Sequence, residues 1–312
     1  MPQLCNLALA SGADEQSEHD QAETLRNIIK LQNQRTVTNA RVITVTSGKG
    51  GVGKSNTSIN LALQFQKMGK KVIILDADFG LANVEVMFGV IPKYNMGDLI
   101  FNGMDIKDII TEGPEGVGFI SGGSGIAKLV NLDKDQVKNL VGKLSQLEEF
   151  ADVIIIDTGA GISPAVMEFI LASPETVLVT TPEPTSITDS YALLKALSMT
   201  DSYDSSVNKV KMLANRVSNE KEGRNLYEKL NSVVTKFLNI KMEYLGHVVY
   251  DDNMTKAVMS QKPVTIMYPH SPASRCYENI VSTLETGHAV SQNAGVRSFF
   301  RNVFSRKMKN GD

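Results

Sequence analysis

Residues 41–55 read RVITVTSGKGGVGKS. A β-branched run, Arg41–Thr46, gives way to glycines and then to a helical pattern, Ser55–Met68, closed by Gly69. The loop matches G-x-x-x-x-G-K-[ST], with Gly48 at its start and Gly53-Lys54-Ser55 at its end. Between a strand and a helix, that pattern predicts a phosphate cradle. Gly48, Lys49, Gly50, Gly51, Val52 and Gly53 curl so that several backbone N–H groups face one anion, and the following helix adds its positive end. Lys54 is placed to reach β- and γ-phosphates, and the Ser55 hydroxyl to ligate Mg²⁺; Asn56 follows on the helix and joins the nucleotide contacts.

Further strands are expected at Lys71–Leu75, Val117–Ile120, Asp152–Ile156, Thr176–Thr180, Val210–Ala214 and Leu245–Tyr250. Most are continuously apolar, as strands buried on both faces are. Helical patterns lie between them, so the fold class is α/β, a P-loop NTPase with a mainly parallel twisted sheet and helices on both faces. Residues 41–290 are expected to form one domain, with a flexible acidic lead expected over 1–19 and a helix over 20–34. A composition of 42% hydrophobic and 21% charged residues excludes a disordered chain. The opening residues lack the basic start of a secretory signal. Cys5 and Cys276, with no C-x-x-C, exclude a disulfide scaffold and a clustered thiolate site, and point to the cytosol.

Two strands end in acids. Asp76 and Asp78 close Ile73–Leu75 and, two apart on an extended backbone, point the same way. Asp157 closes the apolar run of Asp152–Ile156, the arrangement that sets an acid beside the Mg²⁺ of a phosphate loop. His19, His247, His270 and His288 show no ligand spacing.

The run Lys49-Gly50-Gly51-Val52-Gly53-Lys54-Ser55 resembles the deviant Walker A motif of the MinD/ParA ATPases. That resemblance implies ATP and Mg²⁺ as cofactors and an ATP-bound homodimer. Lys49 would cross the interface to the partner's phosphates, as an arginine finger does. It implies that Asp78 positions the attacking water, and that Asp76 and Asp157 support Mg²⁺ through water. Phe79–Gly89 is similar to the family's switch region. Asn215 and Arg216 would meet adenine, with Tyr250 and Asp251 on a second base loop; for Asp251 a helix N-cap is the equal alternative. Many members carry proline at the position of Gly159, and the form Asp157-Thr158-Gly159-Ala160-Gly161 resembles the flagellar branch instead.

Both ends carry further signals. Val296, Phe299, Phe300, Val303 and Phe304 share one helical face, with Arg297, Arg301, Arg306 and Lys307 around it. The net charge is −2; without the five cations of 291–311, 27 basic and 34 acidic residues remain, a balance of −7. A phenylalanine face ringed only by cations fits an interfacial helix over 295–310 on an anionic membrane. The same periodicity also describes a last helix docked on the core, which leaves the missing acids without a reason. Asp20-Gln21-Ala22-Glu23-Thr24-Leu25-Arg26 resembles the segment with which flagellar MinD-like ATPases stimulate the FlhF-type GTPase, Gln21 entering the partner's site. The whole reads as an ATPase of the cytoplasm, reversibly peripheral on the membrane, that controls flagellar number and placement. Flagellar basal-body components and a flagellar transcription regulator are further partner classes; the acidic body speaks against direct nucleic-acid binding. The alternatives are division-site or chromosome positioning by the same fold, an iron–sulfur carrier, which would need C-x-x-C, and a scaffold without turnover.

Overall fold

A computed structural model describes residues 40–78, 83–123, 134–238, 240–287 and 295–304. Met1–Thr38 and Asn39–Asp312 are separate units, and the description concerns the second. The helix expected over 20–34 with Gln21, the switch residues Phe79–Ala82, and Arg306, Lys307 and Lys309 lie outside the described residues.

In chain order, β1 (Arg41–Ser47), α1 (Lys54–Lys67) and β2 (Val72–Ala77) are followed by α2 (Asn83–Phe88), α3 (Met96–Phe101) and α4 (Ile106–Ile109). Then come β3 (Thr111–Glu112), β4 (Gly118–Ile120), α5 (Lys134–Ser145), β5 (Val153–Ala160), α6 (Pro164–Ala172), β6 (Glu175–Thr180) and α7 (Pro184–Ser198). The rest is β7 (Lys209–Val217), α8 (Glu220–Phe237), β8 (Met242–Val249), α9 (Asp252–Met259), α10 (Val264–Met267), α11 (Pro272–Thr286) and α12 (Val296–Val303). The eight strands make one sheet in the order β3-β4-β2-β5-β1-β6-β7-β8. All pairs are parallel except β3 with β4, which is antiparallel. Each of the seven strands expected from the sequence is present; β3, two residues long, is too short for any periodicity to show.

Alternate side chains of the buried strands feed cores on opposite faces. Ile43, Val45, Ile74 and Ile155 pack under α1 and α11, while Val42, Ile73, Ile154 and Ile156 pack on the other face with α5 and α6. Proline in the first turn and a serine N-cap start α6 and α11 within a few residues of the preceding loop.

At the amino end of the strands, Arg41 forms a fork to Glu175, Nε to Oε1 at 2.8 Å and an NH2 nitrogen to Oε2 at 2.9 Å. Lys211 Nζ donates to the same Oε2 at 2.9 Å. Burial alone would raise the Glu175 carboxyl, but these two cations hold it down at about 2. Breaking such a buried pair leaves unpaired charge and costs about 3–5 kcal/mol. Arg41 also donates to Glu285 Oε1 and Leu284 O, both at 3.0 Å, which pins the end of α11 to the sheet.

The tail corrects the sequence-based expectation. Val296, Phe299, Phe300, Val303 and Phe304 do not present a free face to a bilayer; all five are buried, none more than 4% exposed. They sit in the core with Leu140, Leu144, Phe169 and Ala172, and the Phe299 ring stacks on Phe169 at 6.2 Å. Glu148 Oε1 accepts the first amide of α12, from Val296, at 2.7 Å. Arg297 and Arg301 remain exposed. A narrow apolar stripe looks the same whether lipid or protein covers it, and here α5 and α6 supply the cover.

Candidate nucleotide site

The β1–α1 loop opens at the carboxyl end of the parallel strands, where ligands of such sheets bind. Gly53 caps α1 with φ 96° and ψ 22°, a left-handed conformation suited to glycine. A side chain there would also overlap the Asn215 amide. Gly48 is needed for a different reason: a Cβ on it would overlap the backbone of Asp189 and Ser190, so the loop lies flush on α7. Around Gly50 and Gly51 there is open space. Val52 is buried under the loop, and Ser55 and Asn56 are half-buried at the start of α1.

Lys54 is only 8% exposed and its Nζ stands 3.5 Å from Asp157 Oδ1. The same oxygen accepts from Ser58 Oγ at 2.9 Å. Asp157 Oδ2 is buried and without a hydrogen-bond partner in the protein. Strand register sets Asp76 opposite Asp157. Burial, and then the Asp157 charge, push Asp76 up to about 7. Burial raises Asp157 as well, against Lys54 and the hydroxyls of Ser55 and Ser58. Two desolvated carboxylates side by side call for a cation. Among the described residues no three His, Cys, Asp or Glu side chains form a complete metal site. That suits Mg²⁺, which brings waters and phosphates as most of its ligands. The unpartnered Oδ2, the Ser55 hydroxyl and the α1 N-terminus together fit a Mg²⁺–nucleotide.

Asp78 Oδ2 accepts from Asn83 Nδ2 at 3.2 Å. Gly159 faces the same carboxyl: a Cβ there would stand 3.4 Å from Asp78 Oδ1. Lys49 Nζ does not reach into its own loop. It donates to Glu183 Oε2 at 2.7 Å and to Thr185 Oγ1 at 2.8 Å, beside the start of α7. That contact holds the Glu183 carboxyl below the usual range.

On the base side, Asn215 Nδ2 donates to Val52 O at 2.7 Å. The amide therefore braces the phosphate loop and leaves its oxygen as an acceptor. Arg216, at φ 58°, is pushed out where the β7–β8 register shifts, and its side chain is exposed. Tyr250 is 65% exposed. Asp251 takes the N-cap alternative: Oδ1 accepts from Asn253 N at 2.9 Å and Oδ2 from Ala273 N at 3.1 Å, which ties α9 to α11.

A family model described as ParA: NUBPL iron-transfer P-loop NTPase matches residues 38–285. The chain belongs to the ParA/MinD family of P-loop NTPases. This ParA/MinD protein is 39% identical over 260 residues to the antiactivator FleN of Pseudomonas aeruginosa, spanning 83% of this chain and 91% of FleN. It is 36% identical over 298 residues to the flagellum site-determining protein YlxH of Helicobacter pylori, spanning 91% and 98%. A solved MinD of Pyrococcus horikoshii complexed with Mg-ADP has the same fold, with a TM-score of 0.62 at 22% identity over 83% of this chain and 98% of that one. Iron transfer would draw on soft thiolate ligands, and this ParA/MinD protein has only Cys5 and Cys276.

Four residues of the site escaped sequence reasoning. Ser58 stands one helical turn after Lys54, and that spacing was a usable signal. Glu183 follows the end of β6, so the rule that singled out Asp76 and Asp157 also covers it. Asn83 lies in the Phe79–Gly89 stretch but nothing there singles it out, and Thr185 carries no local mark, since the partners of both are fixed only by the fold.

Proposed function

We propose that the chain is an ATP-hydrolysing switch that dimerises on ATP and controls flagellar number and placement. The observation that carries the switch is Lys49. It is tethered to Glu183 and Thr185 of its own chain, at a half-exposed ion pair of the kind that water and salt weaken. A second copy presenting phosphates can draw it away, so the parked lysine separates a resting monomer from an active dimer. The flagellar task is supported by the names of the two relatives at 39% and 36% identity.

In this reading the loop amides, Lys54 and Ser55 bind the phosphates, and Asn215 and Arg216 lie on the base side. When bound, Mg²⁺ neutralises charge that develops on the transferred phosphoryl group. Asp78, oriented by Asn83, accepts a hydrogen bond from the attacking water and aims it, and Gly159 leaves space beside that carboxyl. Asp157 and Asp76 hold the ion's water shell.

Gel filtration with ATP and with ADP tests the switch. The parent chain should dimerise with ATP only. Lys49→Ala should bind ATP, stay monomeric and hydrolyse about 10³-fold more slowly, the lower range for an arginine finger. Unchanged turnover would make Lys49 a surface residue.

Membrane attachment, in this reading, requires α12 to leave the core, because its four apolar residues and Phe304 just beyond it are covered. No described helix is long and apolar enough to cross a membrane. For the front segment we keep the role that its resemblance implies. A peptide of residues 1–35 should accelerate GTP hydrolysis by an FlhF-type GTPase, and Gln21→Ala should remove the effect; a silent parent peptide would refute that role.

A further inference from the structure

We propose that Ser58 is the positioning residue of the magnesium site. The inference rests on the reading of this cleft as a Mg²⁺–nucleotide site and adds a residue to it. Asp157 is fully buried within β5. Its two oxygens are treated unequally. Oδ1 has two donors from α1, Ser58 Oγ at 2.9 Å and Lys54 Nζ at 3.5 Å. Oδ2 has none in the protein, although a buried carboxylate oxygen without a partner is costly.

Lys54 and Ser58 are one turn apart, so a single helix face supplies both donors. Lys54 has a second duty, because bound phosphates compete for its ammonium. Once it turns to the phosphates, and the Ser55 hydroxyl to the ion, the Ser58 hydroxyl is the neutral group that still holds Oδ1. Oδ2 is then left for a ligand of the ion. Ser58 itself is fully buried, and its alternative acceptor, the Lys54 carbonyl, lies farther away at 3.3 Å. A hydroxyl that fixes a carboxylate beside a metal is the sort of outer partner whose loss costs about 10–100-fold in metal affinity.

The experiment is a Mg²⁺ titration of fluorescent-ADP binding, with an EDTA baseline, on the full chain and on Ser58→Ala. The concentration of Mg²⁺ for half-maximal enhancement should rise about tenfold or more in the variant. Metal-free ADP affinity should stay as in the parent, since Ser58 touches no phosphate. An equal loss of affinity with and without Mg²⁺ would mean that the hydroxyl only supports packing, and overturn the proposal. So would an unchanged titration. Ser58→Cys fills the same space with a weak donor and carries the same expectation should the alanine variant not fold. If the parent shows no Mg²⁺ enhancement at all, the magnesium reading itself has failed, an outcome distinct from a parent-like Ser58→Ala.

Discussion

Asp78→Ala will bind ATP nearly as the parent does and turn it over about 10²–10⁴-fold more slowly, the range lost with a positioned acid–base group. The Asp78 carboxyl hydrogen-bonds Asn83 and faces Gly159. The buried pair Asp76 and Asp157 is left intact, so ion binding should persist. With hydrolysis blocked and Lys49 free to cross, the variant should accumulate as an ATP-bound dimer. Single-turnover phosphate release and gel filtration on one sample separate the two effects. A variant that still hydrolyses at the parent rate would take Asp78 out of the chemistry.

Phe300→Ala is expected to lower the unfolding free energy by about 3–5 kcal/mol, the cost of deleting a fully buried phenyl ring. Phe300 is 1% exposed, and its ring meets Phe299 edge-on at 5.0 Å. Arg301→Glu, on the solvent side of the same helix, should shift stability by no more than about 0.5 kcal/mol. Urea unfolding of the two variants beside the parent decides the matter. Equal stability of Phe300→Ala and the parent would mean that the tail is free in solution. A glutamate at this position would be a poor probe of membrane binding. Phe300→Glu puts an unpaired carboxylate into the core, so lost vesicle binding in that variant would reflect damage to the fold as much as to the membrane face.

The sheet was legible because strands buried on both faces leave continuous Val and Ile runs, and the phosphate loop because its glycines answer to local backbone needs. The acids were legible as strand-end residues. Sequence said little about whom each side chain meets. Lys49 and Glu183 are 134 positions apart and become neighbours only once β1 and β6 pair. Asn215 braces Val52 across 163 positions. The tail was legible only in part. Its helical stripe was read correctly, but periodicity measures the width of an apolar face and is silent on what covers it.

The clasp at Arg41 gives the tail a short leash. Because Leu284 and Glu285 are fastened to the sheet, a helix α12 that left the core would trail only the stretch from Gly287 to Gly295. At 3.3–3.6 Å per residue that stretch spans about 30 Å at most. A released helix therefore stays near its own groove, at an effective concentration on the order of millimolar. A bilayer that took up the released helix would have to compete with that recapture.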